Sequence, residues 1–171
     1  MDSTYLDNYF YLLVKNDFLQ EAEQFMQSES FKNLSENKKE YLHWLYYYYK
    51  GDYIQAHKLI KENPGRFGYY IQMKTYAQLG YRTKLDSIDK LYYLHGESKY
   101  QSKAMIHAIL KERDSMYYYL DKAKYSLFHT IGACADKDLS PYKNEARFKA
   151  LLKSFYIPYT HSTDLTYLTE D

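Results

Sequence analysis

Cysteine, proline and glycine are all scarce in this 171-residue chain, which has one cysteine, three prolines and six glycines. The single cysteine, Cys134, excludes an internal disulfide. So few helix breakers, and no sustained alternation of polar and apolar residues, argue against a sheet protein. The sequence therefore predicts an all-α fold.

Long apolar runs and a strong charge of one sign are missing too. No apolar run approaches the roughly 20 residues that a membrane-spanning helix needs. Lys plus Arg number 23 against 22 Asp plus Glu, so the net charge of +1 gives no general attraction to nucleic acid or acidic lipid. The N-terminal stretch lacks the basic segment of a secretory signal. These absences predict a cytoplasmic protein with no nucleic-acid or membrane partner.

Tyrosine is the residue that the chain has in excess, at 24 of 171 positions. A tyrosine buries a large apolar ring while its hydroxyl stays at a polar rim. We expect tyrosine to do much of the packing that leucine does in other helical proteins. A general tyrosine bias in the source proteome is the alternative explanation.

Apolar residues recur at three- and four-residue steps along most of the chain, which is the helical period. This pattern predicts one domain over residues 1–158, built from four helical hairpins and a closing helix. The hairpins cover residues 2–28, 35–62, 66–95 and 97–128, the closing helix covers 143–155, and residues 159–171 form a flexible tail. Residues 130–141 are rich in turn formers and are expected to be a loop.

The hairpin turns carry the clearest repeat signal. The segment KNDF at residues 15–18 precedes KGDY at residues 50–53 by 35 positions. That alignment pairs Asp17 with Asp52 and makes Asp17 the cap of the second helix. Gly80 suits a left-handed turn at the end of the fifth helix. Recurrence at roughly 30 to 40 residues is typical of a helical repeat array.

These residues resemble the tetratricopeptide repeat family. The KGDY turn with Ala56 and Ile60 resembles the turn and second helix of one repeat. The third and fourth units show the likeness at Tyr69, Tyr76, Gly80, Tyr100, Ala104, Met116, Leu120 and Ala123. The segment LSPYKNEARFKALL, residues 139–152, resembles the closing helix of many bacterial proteins of this class. The resemblance implies hairpins stacked as a right-handed α-solenoid with a capping helix, although Trp44 and Tyr9 stand where the family has a small residue.

The resemblance also implies a binding surface. In such arrays the first helix of each hairpin lines a concave groove that holds a peptide or a helical segment of a partner protein. The matching partner-binding positions are Lys38, Tyr41, Tyr48, Tyr49, Tyr70, Lys74, Gln78 and Gln101, with Leu45, Phe67, Ala77, Met105 and Ala108 beside them. Tyrosine and methionine suit an apolar or aromatic segment. The alternative is that half of these tyrosines only pack against the neighbouring hairpin.

Two other binding functions fit the same sequence. One is an inhibitor or immunity-type protein that covers a single enzyme with its convex or end surface. The other is a self-associating module, in which Tyr46 and Tyr47 are exposed and join two arrays back to back as a homodimer.

Sequence features that carry catalysis are weak. Six histidines are scattered, and no two have the four-residue spacing that places two metal ligands on one helix face. His129 and Cys134 are five residues apart across a glycine loop, which fixes no geometry. There is no glycine-rich phosphate loop and no nucleophile elbow. We predict a protein that is not an enzyme and has no metal and no cofactor.

Overall fold

The computed structural model describes residues 3–63, 65–91, 97–123 and 136–154. Every regular element in these ranges is a helix, which confirms the all-α prediction. The first five α-helices are α1 (Ser3–Lys15), α2 (Leu19–Gln27), α3 (Glu29–Lys32), α4 (Glu36–Lys50) and α5 (Tyr53–Glu62). They are followed by α6 (Tyr69–Gln78), α7 (Arg82–Leu91), α8 (Glu97–Ile109), α9 (Arg113–Ala123), a 3₁₀ helix (Lys137–Tyr142) and α10 (Ala146–Ser154).

The chain divides into two compact units, unit 1 at Met1–Asp89 and unit 2 at Lys90–Asp171. Unit 1 contains α1 to α6 and most of α7. Unit 2 contains α8, α9, the 3₁₀ helix and α10. Over the described ranges, no helix has both the length and the apolar character needed to cross a membrane.

Four hairpin turns share one backbone geometry. A residue with φ between 61° and 84° stands in each turn, namely Asp17, Gly51, Gly80 and Lys111. In each case the following residue donates its backbone N–H, at 2.9 Å, to a carbonyl in the last turn of the first helix. This pairing is the left-handed motif that ends many helices. The hairpins α1–α2, α4–α5, α6–α7 and α8–α9 are therefore structurally equivalent, and each turn residue fixes a common register.

That register differs by one residue from the predicted alignment in the first hairpin. The counterpart of Gly51 is Asp17, because Asp17 has the left-handed backbone with φ 66°. Aspartate adopts this conformation more readily than most residues. The prediction that Asp17 caps α2 is wrong, since Phe18 occupies the N-cap position and offers no side-chain hydrogen bond.

The second hairpin keeps the cap that the first one lacks. There the side chain of Asp52 accepts a hydrogen bond from the backbone N–H of Gln55 at 3.1 Å. The one-residue shift also pairs Trp44 with the buried Phe10, and no longer with Tyr9, which is half exposed.

Three positions, counted from the turn residue, are buried in all four hairpins. Seven residues before it lie Phe10, Trp44, Met73 and Ala104, three residues before it lie Val14, Tyr48, Ala77 and Ala108, and five residues after it lie Ala22, Ala56, Leu85 and Met116. The repeated burial shows that each hairpin uses the same faces for its core. The side chains that fill these positions range from alanine to tryptophan.

The first helices of the three hairpins in unit 1 contact one another in chain order, α1 with α4 and α4 with α6. Lys38 of α4 pairs with Asp7 of α1, with 2.7 Å between Nζ and Oδ2. The Trp44 indole N–H donates to the hydroxyl of Thr75 in α6 at 3.0 Å. Further along the same helices, Tyr11 contacts Tyr49 and the Gln78 amide donates to the Tyr48 hydroxyl. Both members of each pair advance together, so α1, α4 and α6 run in the same direction.

Several predicted boundaries need correction. The short helix α3 was not predicted, and it forms because Phe31 is buried and the Ser28 side chain caps it by accepting from the Phe31 N–H at 3.2 Å. Ser35 holds the N-cap position of α4 but makes no side-chain hydrogen bond. The closing helix begins at Ala146.

The predicted loop at 130–141 is helical from Lys137 onward. Asp136 caps this 3₁₀ helix by accepting from the N–H of Asp138 at 3.0 Å, and Leu139 and Tyr142 are buried. Residues 130–135, including Cys134, lie outside the described ranges, as do the hairpin ends at 92–95 and 124–128 and the predicted tail at 159–171.

Candidate functional site

In each first helix of unit 1, the side chains ten, six and two residues before the turn residue form a row along one side of the helix. Four-residue steps place these side chains on the same side of a helix. We call the combined surface the first-helix face. Its partly exposed members are Asp7, Tyr11 and Lys15 on α1, Tyr41 and Tyr49 on α4, and Tyr70 and Gln78 on α6, with Lys38 at its edge. Leu45 and Lys74 of the same rows are buried beneath it.

The sequence prediction did not include the α1 row. Once the register of the first turn is corrected, the α1 residues are identified by their distance from the turn residue, which matches that of the α4 and α6 rows. The α1 row contacts the α4 row directly. The rings of Tyr11 and Tyr49 meet edge to face with centroids 6.2 Å apart, and Asp7 holds Lys38. The ammonium of Lys15 lies 5.5 Å from the centroid of Tyr11.

An aromatic stack supports the face from below. Trp44 stacks against Tyr41 with ring centroids 6.1 Å apart and against Tyr48 with centroids 5.1 Å apart. Tyr48 is fully buried, so the prediction that it lies on the binding surface is wrong. The Tyr48 hydroxyl accepts a hydrogen bond from the Gln78 amide at 3.3 Å, which ties the stack to α6.

Lys74 is also buried, at 5% exposure, and so does not offer the exposed cation that the sequence suggested. Its ammonium lies 4.9 Å from the ring centroid of Tyr48 and 5.6 Å from that of Tyr70. A cation over aromatic faces is worth more when it is removed from water. Lys74 therefore helps to hold α4 and α6 together beneath the face.

Tyr41 is the most exposed ring of the face, at 39%. Burial of the rest of its side chain raises the pKa of the Tyr41 phenol, the neighbouring Tyr11 and Asp7 add to that, and Lys74 opposes it. The phenol therefore stays protonated at neutral pH and is able to donate a hydrogen bond.

The remaining predicted residues divide into two groups. Lys38, Tyr49, Tyr70 and Gln78 are half-buried and keep part of their side chains at the surface. Their companions Leu45, Phe67, Ala77, Met105 and Ala108 are buried. Gln101 is half-buried on α8 in unit 2, so it belongs to a different body from the rest of the set.

Unit 2 has an open cleft of about 370 Å³ that sequence reasoning missed. Its lining comes from α9 and α10 and consists of Tyr117, Tyr118, Asp121, Arg147, Ala150, Leu151 and Ser154. The Arg147 guanidinium lies 4.4 Å from the ring centroid of Tyr117. Tyr117 donates to Glu145 at 2.9 Å, and burial, followed by this hydrogen bond, raises the pKa of the Tyr117 phenol. The cleft depends on how α10 packs against α9, and no local sequence pattern shows that.

Three histidines are described, and each contacts an aromatic ring. His43 packs on Phe31 with ring centroids 5.2 Å apart, and burial lowers the pKa of its imidazole. His107 stacks on Tyr119, and its Nδ1 lies 2.6 Å from Glu112. Over the described part of the chain, no group of three or more His, Cys, Asp or Glu side chains is placed to hold a metal ion.

His57 lies between two tyrosines, with its ring centroid 5.6 Å from that of Tyr76 and 5.3 Å from that of Tyr81. Burial lowers the pKa of His57, and the positive charges of Lys84 and Lys61 lower it further.

Known proteins offer no relative from which a function can be transferred. No protein-family model, no curated protein and no solved structure matches the chain. The geometry of the first-helix face therefore stands as the main guide to function.

Proposed function

We propose that the chain is a non-catalytic protein-interaction scaffold that binds a peptide or a helical segment of a partner protein on the first-helix face of unit 1. The convergence of Tyr11, Tyr41, Tyr49 and Tyr70 from three neighbouring helices carries this proposal. Rigid tyrosine rings supply contact area at a low cost in conformational entropy.

The surroundings of these rings favour such a role. Beneath the face, the stacked rings of Trp44 and Tyr48 and the buried Lys74 leave little room for the surface tyrosines to collapse inward. A preorganised surface spends less free energy on ordering when a partner binds. We expect the bound segment to present apolar or aromatic side chains to the rings, and polar groups to the Tyr41 phenol and the Gln78 amide.

The wider architecture that we propose is a tetratricopeptide-like α-solenoid working in a bacterial cytoplasm. Four turns with one geometry support it, as do the three parallel first helices of unit 1. In solenoids of this kind, first helices commonly line the binding surface.

Binding of a displayed peptide tests the proposal. Peptides are selected from a random display library against the wild-type chain, and the Kd of the best one is measured by calorimetry. The Tyr41→Ala/Tyr70→Ala variant should bind at least about 30-fold more weakly, since one aromatic anchor is worth about 2 kcal/mol. Tyr118→Ala, which truncates an exposed tyrosine of unit 2, is the matched control and should bind like the wild type.

Two results would reject the first-helix face. One is a double variant that is folded by circular dichroism and binds as tightly as the wild type. The other is loss of binding in Tyr118→Ala alone, which would move the site to the cleft of unit 2.

A further inference from the structure

The cleft between α9 and α10 in unit 2 has the size and the mixed lining of a small-molecule site. Its volume of about 370 Å³ lies within the range of pockets that hold small ligands. On the α10 side the lining residues Arg147, Ala150, Leu151 and Ser154 recur at three- and four-residue steps, which place them on one side of the helix. The cleft is therefore built by the facing sides of two helices.

Arg147 is held in place on the α10 side of this cleft. Its guanidinium packs on the ring of Tyr117 with 4.4 Å to the centroid, and that ring is buried. The Tyr117 hydroxyl donates to Glu145 at 2.9 Å, and Glu145 also pairs with Arg113 at 3.0 Å. These contacts fix the ring on which the guanidinium rests. The cleft therefore contains a cation whose position is set before any ligand binds.

Arg147 uses little of its hydrogen-bonding capacity within the protein. Among the described residues its polar partner is Asp114, whose Oδ1 lies 3.4 Å from Nη1. That distance exceeds the usual range of an N–H···O hydrogen bond, and the Asp114 side chain is fully exposed, so the pair contributes little stability. A guanidinium has five N–H donors and matches a carboxylate through two of them at once. Arg147 is therefore able to bind a ligand carboxylate.

Asp121 brings a negative charge into the same cleft. It lies four residues after Tyr117 on α9 and lines the cleft beside it, as residues at that spacing share one side of a helix. The charged side chains of the lining are thus one cation, Arg147, and one anion, Asp121. A ligand with two negative charges would be repelled by Asp121. A ligand with one carboxylate and one ammonium group complements both charges.

Tyr118 gives the cleft an accessible aromatic ring. It is 55% exposed and lines the cleft together with the apolar side chains of Ala150 and Leu151. Tyr46 in unit 1 differs: the prediction that an exposed Tyr46 joins two copies is wrong, because Tyr46 is buried and donates a hydrogen bond to Glu23 of α2. An aromatic ring in a ligand could stack on Tyr118, which no burial of this kind prevents.

We propose that the α9–α10 cleft binds a small aromatic zwitterion of the class of the free aromatic amino acids. The ligand carboxylate pairs with the Arg147 guanidinium, the ligand ammonium group pairs with the Asp121 carboxylate, and the ligand ring packs against Tyr118 and Leu151. All of these residues belong to unit 2, and the first-helix face belongs to unit 1. The cleft is therefore a site separate from the peptide site proposed above.

The affinity should be modest because the cleft is open to solvent. An aromatic amino acid has about 12 non-hydrogen atoms, and the binding free energy per atom that is usual for small ligands then gives a Kd on the order of 1 mM. Binding of this strength is measured by NMR titration.

Titration of the isotope-labelled chain with four probes tests the proposal. Phenylalanine carries the ring, the carboxylate and the ammonium group, whereas phenylpropionate lacks the ammonium group, phenylethylamine lacks the carboxylate and alanine lacks the ring. Phenylalanine should shift the resonances of Tyr118 and Leu151 and should bind most tightly. Each of the other probes should bind at least about 5-fold more weakly, because each loses one charged or aromatic contact.

Charge variants assign the two ion pairs. Arg147→Gln should weaken phenylalanine binding by about 10-fold or more, and Arg147→Lys, which keeps the charge but loses the planar fork, should have an intermediate affinity. Asp121→Asn should weaken phenylalanine binding, yet should bind phenylpropionate at least as tightly as the wild type does. Lys153→Gln removes an exposed cation of α10 outside the cleft; it is the matched control and should bind phenylalanine like the wild type.

Three results would overturn the proposal. These are no shift at the cleft with phenylalanine well above the expected Kd, equal affinity for all four probes, and an Arg147→Gln variant that has wild-type helicity by circular dichroism and wild-type affinity. The Tyr41→Ala/Tyr70→Ala variant should bind phenylalanine like the wild type, because its changes lie in unit 1. Failure of the cleft and failure of the first-helix face are therefore separate results.

Discussion

The second and fourth hairpins have the same turn geometry, but the side chains at equivalent core positions differ greatly in size. The buried positions seven and three residues before the turn hold Trp44 and Tyr48 in α4, whereas they hold Ala104 and Ala108 in α8. The large rings of α4 reach α6, as the hydrogen bond from Trp44 to Thr75 shows. The backbone repeat therefore does not require one side-chain size at these positions.

In the fourth hairpin, a side chain from the 3₁₀ helix occupies the space that the rings of Trp44 and Tyr48 occupy in the second hairpin. Tyr142 from the 3₁₀ helix is buried and donates its hydroxyl to the backbone carbonyl of Ala108 at 2.7 Å. Small residues on α8 allow this approach. At the position three residues before the turn, we therefore expect loss of side-chain volume to destabilise the second hairpin and gain of volume to destabilise the fourth.

Truncation in the second hairpin should have the largest effect on stability. Tyr48→Ala is expected to reduce the free energy of unfolding by roughly 3 to 5 kcal/mol, as for other large aromatic residues cut from a core. Urea unfolding measures the loss, and hydrogen exchange locates it in unit 1. Tyr118→Ala should change stability by no more than about 0.5 kcal/mol because that ring is exposed. Similar losses in both variants would contradict the buried role of Tyr48.

Enlargement in the fourth hairpin should have the next largest effect. Ala108→Leu is expected to cost about 1 to 3 kcal/mol, because added volume must displace well-packed neighbours such as Tyr142. The measurement is urea unfolding, with Ala146→Leu at an exposed position of α10 as the control. A neutral Ala108→Leu would mean that the space beside α8 is open.

The turns of the same two hairpins should respond in opposite directions. A Cβ at position 51 would meet no other atom within 4 Å, so Gly51→Ala adds only the strain of the left-handed backbone, about 1 kcal/mol or slightly more. Lys111 already carries that strain, with φ 61°, so Lys111→Gly should stabilise unit 2 by up to about 1 kcal/mol. Thermal unfolding measures both, and changes of the same sign would contradict the shared turn geometry.

The smallest expected effect is a pH dependence that arises in the second hairpin. Burial against Phe31 lowers the pKa of His43 below its usual value, although Glu36 and Glu40 oppose the shift. The unfolded chain then binds more protons than the folded one as pH falls below about 6.5, so stability should decrease between about pH 7 and pH 5. His43→Gln should reduce the slope of melting temperature against pH, and an unchanged slope would exclude His43 as a source.

The sequence supports the helical class and the position of most hairpins because those signals are local. Periodic apolar residues mark the helices, and Gly51 and Gly80 mark two turns. The first turn was placed one residue early because Asn16 and Asp17 both suit a turn, and only the backbone hydrogen bonds distinguish them. The 3₁₀ helix was missed because its proline and polar residues also suit a loop.

The predicted site residues differ in how much of each side chain reaches the surface. Tyr41, Tyr49 and Tyr70 keep part of their side chains at the surface, whereas Tyr48 and Lys74 are buried. A polar atom at the end of a long side chain suggests exposure from sequence alone. Tyr48 and Lys74 are buried because a neighbouring hairpin packs over them. The residue pattern of one helix does not show how closely the next hairpin packs.

Chemical-shift mapping of a selected peptide onto the isotope-labelled chain tests the proposed function most directly. We predict that the largest shifts fall on the first-helix face, around Tyr11, Tyr41 and Tyr70, and that the α5 surface around Ile54 stays unchanged. Shifts concentrated on the α5 surface, or confined to the α9–α10 cleft of unit 2, would contradict the assignment of the first-helix face as the binding surface.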